Sequence, residues 1–232
     1  MKRFATVIAG LALGAVGALP MGAASAAEGH AWEGHHQRTY EVTITNLTEG
    51  ESFTPFLVVS HRSGHPLFTL GQPASAELAT LAEGGDTAPL ASALSSMAGV
   101  GSMATSSGLL APGHSVTVRI KAGGRFDHLS LAAMMVPTND GFVSVQNVAL
   151  PRGRHVRAVT APAYDAGAEA NDELCVHIPG PVCGGEGVSQ GITGVGYVHI
   201  HSGIHGVGDL NPALYDWRNP VARIVIRRAS PH

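Results

Sequence analysis

Tyr40-Glu41-Val42-Thr43-Ile44-Thr45-Asn46-Leu47 alternates apolar and polar side chains and is rich in β-branched residues. Successive side chains of a strand point to opposite faces, so this pattern predicts a strand with one face in a core and one in water. The chain around it repeats the theme. Ser115 to Lys121 alternates just as strictly, as does His155 to Val159. Phe56 to Ser60 and Leu129 to Val136 are continuous apolar runs, which predict strands covered on both faces. Phe142 to Leu150, Gly196 to His201 and Val221 to Arg227 complete the set. Between the early strands, residues 74 to 100 carry helix formers. There Ser75 is placed to cap a helix through Glu83, and Pro89 to Met97 forms a second short helical segment. The expectation is an all-β, antiparallel β-sandwich of about eight strands with long loops and one or two short helices.

Composition agrees with that class. Charged residues make up only 13% of the chain, while Gly (30) and Pro (14) are frequent among its 232 residues. A net charge of -3 without a basic stripe argues against a nucleic-acid partner. Residues 1–26 read as a cleaved signal peptide: Lys2 and Arg3, an uncharged apolar run from Phe4 to Leu19, then small residues at Ala24-Ser25-Ala26. The apolar run is shorter than the roughly 20 residues a spanning helix needs, and no later segment reaches that length. Residues 27–38, with His30, His35 and His36, read as a flexible polar lead, and 39–229 as the folded domain. In an exported chain the two cysteines, Cys175 and Cys183, are expected to form a disulfide worth roughly 2.5 kcal/mol on loop-closure entropy. A metal pair completed by His177 is the competing reading, one ligand short of a full site.

Two segments could carry chemistry. Tyr164 to Glu173 supplies Asp165, Glu169, Asn171, Asp172 and Glu173, with Gly167 to let the backbone curl. Thr138-Asn139-Asp140-Gly141 is a second acidic turn. Calcium takes six to eight oxygens of mixed type, so two such loops at one end of a sandwich could share an ion, whereas each alone is an ordinary solvated turn. His199, His201 and His205 form the other cluster, with the first two on one strand face. They fit either a zinc or copper site or imidazoles bonded to loop carbonyls. The nucleophile-elbow, zinc-protease and phosphate-loop patterns are absent.

At these residues the sequence resembles the spondin domain, the N-terminal module of F-spondin and mindin, in a stand-alone bacterial form. The resemblance runs from Tyr40 to Arg228. Its marks are Tyr40 to Leu47, Phe53 to His61, Met134 to Val143, Tyr164 to Glu169, and Asp216-Trp217-Arg218-Asn219-Pro220-Val221-Ala222. It implies a C2-like β-sandwich holding Ca2+ in acidic loops, with a role in extracellular or cell-surface adhesion rather than catalysis. By position, Asp140, Asp165 and Glu169 match the family's acidic residues, with Asn139, Asn171 and Glu173 as neighbouring candidates. One departure is Gly141, where animal members carry Trp. The implied partner is a cell-surface or matrix protein or glycan. The alternative is a metal-handling protein or metalloenzyme built on His199, His201 and His205.

Overall fold

The computed structural model describes residues 37–230; the segment read as a signal peptide (1–26) and most of that read as a polar lead (27–38) lie outside them. Two antiparallel sheets stack face to face. In the smaller, β1 (Arg38–Asn46) lies between β5 (Ser115–Ala122) and β11 (Ala222–Arg228), with β8 (Val156–Ala161) at the edge. The larger runs β10 (His199–Ile200), β9 (Ala163–Asp165), β7 (Gly141–Ala149), β6 (His128–Val136), β3 (Leu57–His61), β4 (Val100–Thr105), with β2 (Ser52–Phe53) pairing with β6.

The alternation of β1 has a direct cause. Val42 and Ile44 are fully buried between the sheets, and their burial stabilises by about 1.5–3 kcal/mol each. The opposite face meets solvent, where the Thr43 and Thr117 hydroxyls hydrogen-bond at 2.8 Å and those of Thr45 and Ser115 at 2.7 Å. β3 and β6 carry apolar side chains on both faces because each is sandwiched, with Ser60, His61 and Ser130 buried at one end. Val58, Leu131, Ala133 and Met135 face the inter-sheet core. Leu57, Val59 and Ala132 face a second core formed with helices α1 (Ala76–Gly84) and α2 (Ala88–Ser95). Ser75 caps α1, its hydroxyl accepting from the Leu78 N–H at 3.2 Å.

Three strands escaped the sequence pattern. β2 and β9 are too short for periodicity to register. β4 contains Gly101, Ser102 and Ala104, poor strand formers; a Cβ at Gly101 would lie 2.8 Å from the Phe126 ring. The strand expected over 196–201 shrinks to two residues, because the Gly196 and Val198 N–H groups bond to Gly167 and Gln72 carbonyls instead of a ladder. Cys175 and Cys183 are joined as a disulfide. A turn of 3-10 helix (Cys175–His177) and the short helix α3 (Pro212–Tyr215) lie in the long loops after β9. Among the described residues, no helix is long and apolar enough to cross a membrane.

Candidate functional site

The β6–β7 turn and the segment after β9 meet at one end of the sandwich. Pairing of β7 with β9 sets Gly141 opposite Asp165, and pairing of β9 with β10 sets Asp165 opposite His199. Asp140 and Asp165 thus arrive side by side from distant parts of the chain.

Asp140 is fully buried. Its Oδ2 accepts from the Ala168 and Glu169 N–H groups at 2.8 and 3.0 Å. Its Oδ1 has no partner. Burial, reinforced by the neighbouring Asp165 carboxylate, pushes the Asp140 pKa up to about 8. Asp165, also buried, accepts from the Gly167 N–H at 2.7 Å through Oδ1 and from Asn171 Nδ2 at 2.5 Å through Oδ2. His199 Nε2 lies 3.3 Å from the same Oδ1. The curl between them needs a glycine: Gly167 has φ +68°, and a Cβ there would stand 2.2 Å from the Tyr197 carbonyl oxygen.

The other oxygen-bearing candidates take different parts. Glu169 is buried with neither carboxylate oxygen partnered. Burial raises its pKa to about 7 against the pull of the nearby Ser189 hydroxyl, which lies outside strict hydrogen-bond geometry, and Glu83, Asp172 and His177 are within electrostatic reach. Asn139 ties the two loops together: its Nδ2 donates to Asp172 at 3.0 Å and its Oδ1 accepts from the Glu173 N–H at 3.1 Å. The Glu173 carboxylate accepts from the His205, Gly206 and Val207 N–H groups at 2.6, 2.6 and 3.0 Å. Glu173 therefore clamps a loop with oxygens already engaged.

The histidines do not assemble as a chelating set. His199 Nδ1 lies 2.9 Å from the Ile200 carbonyl oxygen, and exposed His205 places Nε2 3.3 Å from the Ser202 carbonyl oxygen. His201 is buried, its ring 4.9 Å from that of Trp217. Its Nδ1 accepts the Gly203 N–H at 3.0 Å, so the proton of the neutral ring sits on Nε2, which has no partner. A protonated Nε2 offers no lone pair to a metal. Burial lowers the His201 pKa to about 4. Its ring also explains Gly141: a Cβ there would stand 3.0 Å from His201 Cδ2 and 2.6 Å from Thr138 Oγ1. A cleft of about 250 Å³ opens beside it, lined by His205, Asp216 and Arg218 among others.

Among the described residues, no three His, Cys, Asp or Glu side chains converge closely enough to hold a metal ion by themselves. The feature that fits a cation is the orphaned Asp140 Oδ1 beside Asp165. Two carboxylate side chains would need backbone carbonyls and water to complete a calcium shell. The sequence reading also missed Glu51. It is fully buried without a partner for either oxygen, and burial, then Asp216, push its pKa well above the usual carboxylate range. Its turn, Glu49-Gly50-Glu51, looks like any solvated loop.

The acidic β6–β7 turn and the Tyr164–Glu169 loop both fall inside a match to the spondin N-terminal domain family model, which spans residues 29–172. The chain belongs to the spondin N-terminal domain family. The match covers the sandwich from β1 to β9 and both acidic loops of this spondin domain. It ends before the disulfide, the histidine segment and Asp216 to Ala222, so those features rest on the structure of this chain. No curated protein sequence matches it at a significant level.

Proposed function

We propose that this spondin domain is an exported, non-catalytic binding module. Asp140 and Asp165 would hold a calcium ion that rigidifies the loops at one end of the sandwich, for adhesion at a cell surface or in the surrounding matrix. The observation that carries the reading is the Asp140 carboxylate. It is fully buried, bonded on one oxygen by two backbone N–H groups, and unpartnered on the other beside a second carboxylate. Leaving a buried charge uncompensated costs several kcal/mol, and a bound divalent ion removes that cost. Glu169, within electrostatic reach of Asp140, is an additional candidate donor. The ion would supply charge neutralisation and loop rigidity. The export reading of residues 1–26 is consistent with the extracellular type of the family, and calcium outside cells commonly binds such modules at about 10⁻⁴ to 10⁻³ M.

Melting curves with calcium and with EGTA test this. Calcium at tenfold over its Kd should stabilise by roughly 1.4 kcal/mol, or about 3 to 6 °C for a domain of this size. Asp165→Ala should remove the difference between the two conditions whatever it does to the baseline. Identical wild-type curves in calcium and EGTA would overturn the reading.

A further inference from the structure

The linear sequence shows no basic stripe, but the fold builds a basic end. The start of β1, the end of β5, the β7–β8 loop and the end of β11 meet at the pole away from the acidic loops. Two adjoining clefts open there, of about 500 and 430 Å³, sharing Gly153 and Arg228. Among the described residues, they are lined between them by Arg38, Arg152, Arg154, Arg227 and Arg228, against a single acidic residue, Asp127. All five arginines are exposed. Arg227 is half-neutralised, since Glu41 bridges it at 2.8 Å and Arg119 at 2.8 Å. Among the described residues, Arg152, Arg154 and Arg228 have no ion pair. Gly153, at φ +60°, turns the loop between Arg152 and Arg154. This concentration of positive charge stands on a chain whose net charge is -3.

We propose that this end of the sandwich docks a linear anionic polysaccharide, a chain bearing sulfate or carboxylate groups at regular intervals. Guanidinium groups pair with such groups in a bidentate fashion, and their planar forks match both. Two clefts that meet at Arg228 offer a continuous track longer than a single anion requires. The lining favours a polysaccharide over the other polyanions. Among the described residues, Tyr40 is the only aromatic in either cleft and is 7% exposed, so they offer no ring to stack on a base. Among the described residues, Val156 is the one large apolar side chain exposed there, too little to enter a membrane interface. The arginines lie remote from the calcium loops, so the ion and the glycan would occupy opposite poles. The proposal names a partner for the binding-module reading and rests on that reading for its place outside the cell.

The full chain is run against immobilised heparin (sulfate and carboxylate), dextran sulfate, polygalacturonate (carboxylate) and neutral dextran, each with calcium and with EGTA. Binding to heparin and at least one other anionic polymer, absent on dextran, is expected. Dextran sulfate and polygalacturonate separate sulfate from carboxylate recognition. The triple variant Arg152→Gln/Arg154→Gln/Arg228→Gln should lose about tenfold or more in affinity at 100 mM NaCl, with a shallower salt dependence. Arg218→Gln, at the acidic pole, should bind as wild type. Because the three residues are exposed, an unchanged melting temperature verifies the fold of the triple variant. No binding at low salt, or equal binding by the triple variant, would overturn the proposal. So would tighter binding to single-stranded DNA or to anionic phosphatidylglycerol vesicles than to any polysaccharide. The calcium reading stands or falls on the melting curves alone, so the two failures are distinguishable.

Discussion

Replacing Asp140 by asparagine keeps the oxygen that receives the Ala168 and Glu169 N–H groups and removes the charge. In the metal-free protein the wild-type carboxyl titrates near 8 rather than near 3.8. A carboxyl whose folded pKa is raised contributes stability that is complete below its unfolded pKa and is lost as pH rises through the folded value. At pH 7 about three decades of pH separate the solution from the unfolded pKa, and at about 1.4 kcal/mol per decade the ionisable carboxyl costs about 4 kcal/mol. Asp140→Asn should therefore be the more stable protein in EGTA at pH 7, with the gap closing to nothing by about pH 4. His201 works in the opposite sense. Its folded pKa is lowered to about 4, so stability is lost as pH falls from 6.5 through 4, and the wild-type curve alone would mix the two effects. The readout is the difference between variant and wild type in urea denaturation, measured at pH 4, 5.5, 7 and 8. Adding calcium at tenfold over its Kd should narrow the variant's advantage by roughly 1.4 kcal/mol, by stabilising only the wild type. A variant less stable than wild type in EGTA at pH 7, with no pH-dependent gap, would refute the buried, uncompensated carboxylate.

Two further outcomes follow from buried or crosslinked groups. Glu51→Gln should raise the melting temperature at pH 7 to 8 and leave it unchanged near pH 4, because burial disfavours the ionised Glu51 carboxylate and pushes its pKa well above the usual range; equal melting temperatures of variant and wild type at both pH values would count against this. Reducing the Cys175–Cys183 bridge, or replacing both cysteines by serine, should cost about 2.5 kcal/mol on loop-closure entropy, read as a fall of about 5 to 10 °C in a thermal scan.

Much of the sandwich was legible because burial writes itself into periodicity. β1 and β5 alternate because one face is wet, and β3 and β6 do not because helices α1 and α2 cover their second face. The family marks lie on these strands and the turns between them. β4 was illegible because glycine and small residues there answer to Phe126 and Ser60, not to strand propensity. For the site, the sequence placed the acidic residues in two loops and set Asp140, Asp165 and Glu169 ahead of Asn139, Asn171 and Glu173 by family position alone. The structure distinguishes them: Asp140 keeps a free oxygen, Glu173 spends both of its own on backbone N–H groups, and Asn139 ties loop to loop. Glu51 and the arginine end left no local signal, since their neighbours in space come from remote strands.

Sequence alone determined which residues alternate, which runs are apolar on both faces, where the turns fall and which family the chain resembles. These properties depend on neighbours within a few positions, through the two-residue repeat of a strand and the conformational preferences of glycine and proline. Tertiary structure alone decided that Asp140 meets Asp165, that His201 is buried with its outer nitrogen protonated, and that five arginines line one end. Those outcomes depend on strand register and sheet stacking, which join residues from distant parts of the chain and set the burial that governs their charge.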